Sequence, residues 1–144
     1  MYSISLPNHP LILPYADGTR VPAGFASPAE DFLLRRLDVG ELLHMQHPAT
    51  FCMRASGHSM RQAGISDGDL LIFNRAITPR HGYVVLAQLD EGFTVKYLHN
   101  AGGVVKLVAA NPDYPDIIPA PGQTLEIQGV LLGALTLFPP ARLK

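Results

Sequence analysis

Two apolar runs, Tyr83–Leu89 (YVVLAQL) and Phe93–Leu98 (FTVKYL), stand on either side of Asp90-Glu91-Gly92, and they constrain this chain more than any other feature. Runs rich in β-branched and aromatic residues, split by a short Asp/Gly break, read as antiparallel strands joined by a tight turn. The same punctuation recurs from residue 50 onward. Phe51–Ala55 alternates, with Phe51, Met53 and Ala55 on one side and Cys52 and Arg54 on the other. Leu70–Phe73 reads as a short buried strand, Val104–Ala109 follows the Gly102-Gly103 break, and Asp116–Pro119 is short and extended. Thr124–Phe138 is one long or bent strand, with Gly129 and Gly133 placed where bulges would form. Thirteen Gly and thirteen Pro, spread over 144 residues, keep the apolar runs short. The chain is therefore expected to be mostly β, with many turns, rather than a helical bundle.

The beginning of the chain is different. Pro7, Pro10, Pro14 and Pro22 interrupt any sustained period, so residues 1–26 are expected to form an extended arm, with a short strand at Leu11–Leu13. Ser27-Pro28-Ala29-Glu30 combines an N-cap residue, a proline in the first turn and a glutamate three residues on, which predicts a short helix over 28–37 burying Phe32, Leu33 and Leu37. Asp38-Val39-Gly40-Glu41 repeats the capping pattern and predicts a turn of helix through Leu43, stopped by His47-Pro48. The expected organisation is a 1–26 arm followed by a single 27–144 domain.

Composition excludes some functions. A net charge of −1 leaves no Lys/Arg surplus with which to release counterions from a phosphate backbone. An arm of this length is also too short for a helix-turn-helix domain, so sequence-specific DNA binding by that route is not expected. The single cysteine, Cys52, cannot form an internal disulfide and fits a reducing compartment. No apolar run approaches the roughly 18 residues of a membrane span, and Met1 is not followed by a signal-peptide pattern. A cytoplasmic protein is expected.

Residues able to do chemistry are few. Ser56-Gly57-His58-Ser59-Met60 breaks the alternation of the strand before it, and Gly57 permits a sharp turn that presents Ser59 at a strand end. A serine beside free backbone N–H groups can serve as nucleophile and oxyanion hole, although five such residues are also an ordinary polar turn. In Phe93–Leu98, period two puts Thr94, Lys96 and Leu98 on one face, and Phe93, Val95 and Tyr97 on the other. Lys96 either reaches out to solvent or sits desolvated; if desolvated, its pKa falls and a neutral amine becomes available as a general base. Serine with lysine is a known variant of the serine-nucleophile arrangement. The six histidines make no zinc spacing, His44-x-x-His47 being an isolated pair, and no metal or cofactor is expected. Asp67-Gly68-Asp69 reads as a turn, and Cys52 as a core thiol rather than a nucleophile.

The segments PAGFASPAEDF, ASGHSM, GISDGDLLIFNRAI, HGYVVLAQL and EGFTVKYL, in this order and spacing, resemble the UmuD-like branch of the S24 self-cleaving proteins, a family that includes the LexA repressor and phage repressors. The likeness runs from Pro22 to about Phe138. The separation of Ser59 and Lys96, 96 − 59 = 37 residues, is also that family's. The resemblance implies a mostly β S24 fold and a serine endopeptidase whose substrate is its own arm. In that reading Ser59 is the nucleophile, Lys96 the general base, and the backbone N–H groups of His58 and Ser59 the oxyanion hole. The bond cut is Ala23–Gly24, within Val21-Pro22-Ala23-Gly24-Phe25. It further implies a homodimer, with Leu131–Phe138 as part of its interface, cleavage stimulated by the RecA filament on single-stranded DNA, and a product that joins a UmuC-like Y-family polymerase in SOS mutagenesis. A repressor-type regulator and a non-catalytic binding module on the same fold are the alternatives. The sequence departs from UmuD in having His58 where UmuD has an acidic residue, and Ala-Gly rather than Cys-Gly at the bond. A protonated His58 near Lys96 would lower the lysine pKa further.

Overall fold

The structure is a computed structural model that describes residues 10–17, 33–90 and 92–143. The chain divides into two compact units, residues 1–47 and 48–144.

In the first unit, β1 (Ile12–Asp17) pairs antiparallel with β2 (Leu33–Asp38), in register from Ile12 opposite Asp38 to Asp17 opposite Leu33. Here the structure corrects the expected 28–37 helix. Residues 28–32 lie outside the described residues, and the remainder of that span is strand. The reason lies outside the segment: Leu33–Asp38 pairs along all six residues of β1, and a ladder of that length overrides a capping signal six residues upstream. Pro14 is tolerated because a two-stranded sheet has only edge strands. The second capping pattern behaves as its residues suggest. α1 (Val39–Leu42) is a single turn whose N-cap, Asp38, accepts the Glu41 N–H through Oδ1 at 3.0 Å.

The second unit is a six-stranded antiparallel sheet in the order β3-β4-β8-β5-β6-β7. Its strands are β3 (Thr50–Arg54), β4 (Leu70–Asn74), β5 (Val84–Leu89), β6 (Gly92–Ala101), β7 (Val104–Val108) and β8 (Leu125–Leu135). The chain is mostly β. The β5–β6 hairpin closes with Leu89 opposite Gly92, and Asp90 takes a positive φ of 54° in the turn. Strand β8 lies between β4 and β5 and slips register twice. Leu86 faces Gly129 while Ala87 faces Ile127, and Ile72 faces Gly133 while Phe73 faces Leu131. Each slip leaves one extra residue beside a glycine, which bends the long strand. Gly129 has a second role: a Cβ there would come within 3.0 Å of the Phe51 ring, which stacks on Phe73 at 5.5 Å between centroids.

Two apolar clusters form the core. Leu71, Phe73 and Leu86, with Met60, Ile65 and Ala110, make one, and Phe51, Val95 and Tyr97 pack against it. Val85, Ala87, Leu98, Leu107 and Val130 make the other. The alternation of the strands is what separates them, since Leu86 serves one face of β5 while Val85 and Ala87 serve the other. Cys52 is exposed rather than in the core. Strand β3 is at the sheet's edge, and the face opposite Phe51 and Ala55 is left uncovered at this residue.

Candidate active site

The site is built where β6 loses one of its neighbours. Strand β7 pairs with β6 only from Tyr97 to Ala101, so among the described residues Gly92–Lys96 is paired on the β5 side alone. Leu98 exchanges both backbone bonds with the chain at Gly82 and Tyr83, on the β5 side. By alternation, Thr94 and Lys96 also turn their backbone groups toward β5, and Val95 turns its own toward the free edge. Lys96 arises at this edge and is 6% exposed. Its Nζ is 3.1 Å from the Val95 carbonyl oxygen, 2.7 Å from Thr94 Oγ1 and 2.9 Å from Ser59 Oγ. Burial pushes the Lys96 pKa below its ordinary 10.5.

Those three partners suit a neutral amine. Two N–H groups can donate to the Val95 carbonyl and to Thr94 Oγ1, which leaves the lone pair facing the Ser59 hydroxyl. Protonation changes only the direction of the third bond, the ammonium then donating to Ser59 Oγ. The same cage thus holds both states of the lysine.

Ser59 is brought to the edge by the turn after β3. Gly57 has φ +90°, and nothing lies within 4 Å of the position its Cβ would take, so backbone conformation rather than space selects glycine here. The turn is tied down from both sides. The Gly57 N–H donates to Asp67 Oδ1 at 2.8 Å, and the Ala110 N–H donates to the Ser59 carbonyl at 2.8 Å. Asn111 Nδ2 donates to the His58 carbonyl at 2.9 Å. Among the described residues the N–H groups of His58 and Ser59 donate to no protein acceptor. A cleft of about 190 Å³ opens beside the turn, with Met53, Gly57, Ser59, Phe93, Thr94 and Lys96 on its walls.

Ser59 and Lys96, separated by 37 residues, are therefore in contact. Ala23 and Gly24 lie outside the described residues, in the connection between β1 and β2. The His58 side chain is exposed and does not line the cleft, and the lowering of the Lys96 pKa comes from burial. Asp67-Gly68-Asp69 is a turn whose carboxylates hold neighbouring loops: Asp67 takes the Gly57 N–H, and the buried Asp69 takes the Ser66 N–H and the Thr136 hydroxyl. Among the described residues no three His, Cys, Asp or Glu side chains gather to hold a metal ion. Sequence reasoning did not single out Thr94 and Asn111. For Thr94 the signal was present, since period two puts it on the face of Lys96. For Asn111 nothing local distinguishes it from a turn residue before Pro112.

A serine hydroxyl against a caged, desolvated lysine, beside backbone N–H groups that no described residue accepts, defines an arrangement suited to nucleophilic attack on a carbonyl. Comparison with known proteins supplies the family: residues 14–132 match the Peptidase S24-like family, and the chain belongs to it. The chain is 41% identical over 117 residues to the LexA repressor of Halorhodospira halophila, covering 81% of this chain and 51% of that protein. Against the LexA repressor of Cupriavidus necator it is 38% identical over 116 residues, 81% of this chain and 53% of the relative. Against Protein ImpA of Salmonella typhimurium it is 49% identical over 79 residues, 55% of this chain and 54% of ImpA. The chain thus spans about half the length of the curated relatives it matches.

Proposed function

We propose that this chain is a self-cleaving serine endopeptidase that cuts its own Ala23–Gly24 bond. The observation that carries the reading is the 2.9 Å contact between Lys96 Nζ and Ser59 Oγ at a buried lysine with no carboxylate beside it among the described residues. In the reaction the neutral Lys96 amine takes the Ser59 hydroxyl proton while Oγ attacks the Ala23 carbonyl carbon. The oxyanion so formed is met by the N–H groups of His58 and Ser59. The C–N bond to Gly24 then breaks, and the ammonium of Lys96 returns its proton to the leaving amine. Lys96, neutral again, activates a water that hydrolyses the ester on Ser59. The products end at Ala23 and begin at Gly24. Small residues at the bond suit a narrow cleft, and Pro22 favours an extended approach.

The biological setting proposed is the SOS response. The RecA filament on single-stranded DNA promotes cutting by stabilising the arm-in-cleft conformation, and the dimeric product serves as accessory subunit of an error-prone, UmuC-like translesion polymerase. The likeness to ImpA and to LexA repressors supports an SOS-type role. A second reading, a repressor-type regulator, draws on the LexA matches, which cover more of this chain than ImpA does. The absence of a basic surplus counts against it.

Intact mass after incubation at alkaline pH tests the central step. The parent protein should yield a fragment beginning at Gly24, and Ser59→Ala should stay whole. An uncut parent, even with the activated RecA filament present, would overturn the reading, and so would cutting of both proteins at the same bond.

A further inference from the structure

Besides Lys96, Asn111 is a buried polar side chain that reaches the Ser59 turn, and the proposed chemistry has no role for it. It is 5% exposed, in the bend after β7. Its Oδ1 accepts the Asp113 N–H at 3.0 Å, which fixes which way the amide faces. Its Nδ2 then donates at 2.9 Å to the His58 carbonyl, 53 residues away in sequence. That carbonyl also accepts the Arg61 N–H at 3.2 Å, while Ala110, next to Asn111, donates to the Ser59 carbonyl.

The consequence follows from the planarity of the peptide bond. His58 C=O and Ser59 N–H belong to one trans peptide unit, so the two groups point in opposite directions. Whatever fixes the carbonyl also aims the N–H. Asn111, which does not line the cleft as Ser59 does, holds the His58 carbonyl, and the Ser59 N–H, which has no acceptor among the described residues, points the opposite way from that bond. A glycine with φ +90° two residues before Ser59 gives this turn alternatives, so the peptide needs an outside anchor.

We infer that Asn111 is a positioning residue for the oxyanion hole: by holding the His58 carbonyl it orients the Ser59 backbone N–H toward the carbonyl oxygen of the bond to be cut. The inference rests on the self-cleavage proposed above and extends it to a residue from another part of the chain. Because Asn111 touches neither Lys96 nor the Ser59 hydroxyl, it acts on stabilisation of the intermediate and not on the supply of base.

The experiment is the pH–rate profile of self-cleavage for the parent, Asn111→Leu, Asn111→Ser and Asn111→Ala, each rate expressed per folded molecule. Asn111→Leu keeps the side chain's size and removes its donor. Its plateau rate should fall by about 100-fold, the order of effect seen when an oxyanion donor is lost or misplaced. The pH midpoint should stay where it is in the parent. Asn111→Ser, which retains a donor on a shorter side chain, should cut faster than Asn111→Ala at the same midpoint. A folded Asn111→Leu protein with a plateau within about threefold of the parent would overturn the inference, that being a negligible part of an oxyanion-hole effect. So would a midpoint displaced toward that of an ordinary lysine, since the loss would then come from an opened cleft. Should Asn111→Leu fail to fold, the serine and alanine variants decide alone, and equal plateaus for those two would overturn it. A parent that does not cut at all would instead overturn the proposed function.

Discussion

The two halves of β6 are made of similar residues and put them to different uses. From Tyr97 to Ala101 the strand is paired with β7, and Leu98, 5% exposed, packs among Val85, Leu107 and Val130. From Gly92 to Lys96 no described strand pairs on the β7 side, and the side chain two residues before Leu98, on the same face, is the lysine. Both positions are buried. One gains stability from apolar contact, whereas the other holds an amine from which water is excluded and which has no carboxylate beside it among the described residues. The difference is where the pairing with β7 ends. A free edge next to a sharp turn gives a buried lysine a serine to face, and leaves space for an extended segment in front of both.

The comparison is sharpest where the two halves are altered separately. Ser59→Ala and Lys96→Ala should each lower the proposed self-cleavage by about a thousandfold or more while the proteins remain folded, as the proposed catalytic pair requires; rates from intact mass against thermal unfolding check this. Thr94→Val removes one of the two acceptors that leave the Lys96 lone pair directed at Ser59. It should reduce the plateau rate by about ten- to a hundredfold, within the range for positioning effects, with the residual activity read in the same assay. Leu98→Ala, in the other half, should do the reverse. It should cost about 2–5 kcal/mol of unfolding free energy, measured by urea denaturation, with little loss of rate per folded molecule at low temperature.

The pH dependence of stability separates the halves again. Between the lowered Lys96 pKa and 10.5 the unfolded chain carries the proton and the folded chain does not. Unfolding free energy should therefore rise with pH across that window, be lowest below it and reach its full value above it. Lys96→Met should flatten that slope in urea unfolding followed at successive pH values, and Leu98→Ala should leave it intact. The smallest effect belongs to His58→Ala. Its side chain is exposed and outside the cleft lining, so the midpoint of the cleavage–pH curve should overlay that of the parent.

Much of this was legible in the sequence. The β5–β6 hairpin, the bulges beside Gly129 and Gly133, and the strand–turn presenting Ser59 all follow from local patterns that tertiary structure reinforces. Other features depend on partners far away in the chain. Leu33–Asp38 pairs with residues 12–17, which a helix-capping signal cannot anticipate. Cys52 is exposed because β3 is an edge strand, and strand order is not written in the strand itself. Asn111 reads as a turn residue, and only the fold sets it against His58. Lys96 is intermediate. Period two gave its face and its companion Thr94, but its burial depends on the fold that brings the Ser59 turn against it.

The central claim is that Lys96 is held as a poor proton acceptor from water yet a ready one from Ser59, and its own titration tests this most directly. With lysine labelled at 13Cε in the Ser59→Ala protein, so that no cleavage intervenes, the Lys96 resonance can be followed against pH. A midpoint clearly below 10.5 is the result the account predicts. A midpoint at 10.5 or above would mean an exposed or ion-paired amine, and would contradict it.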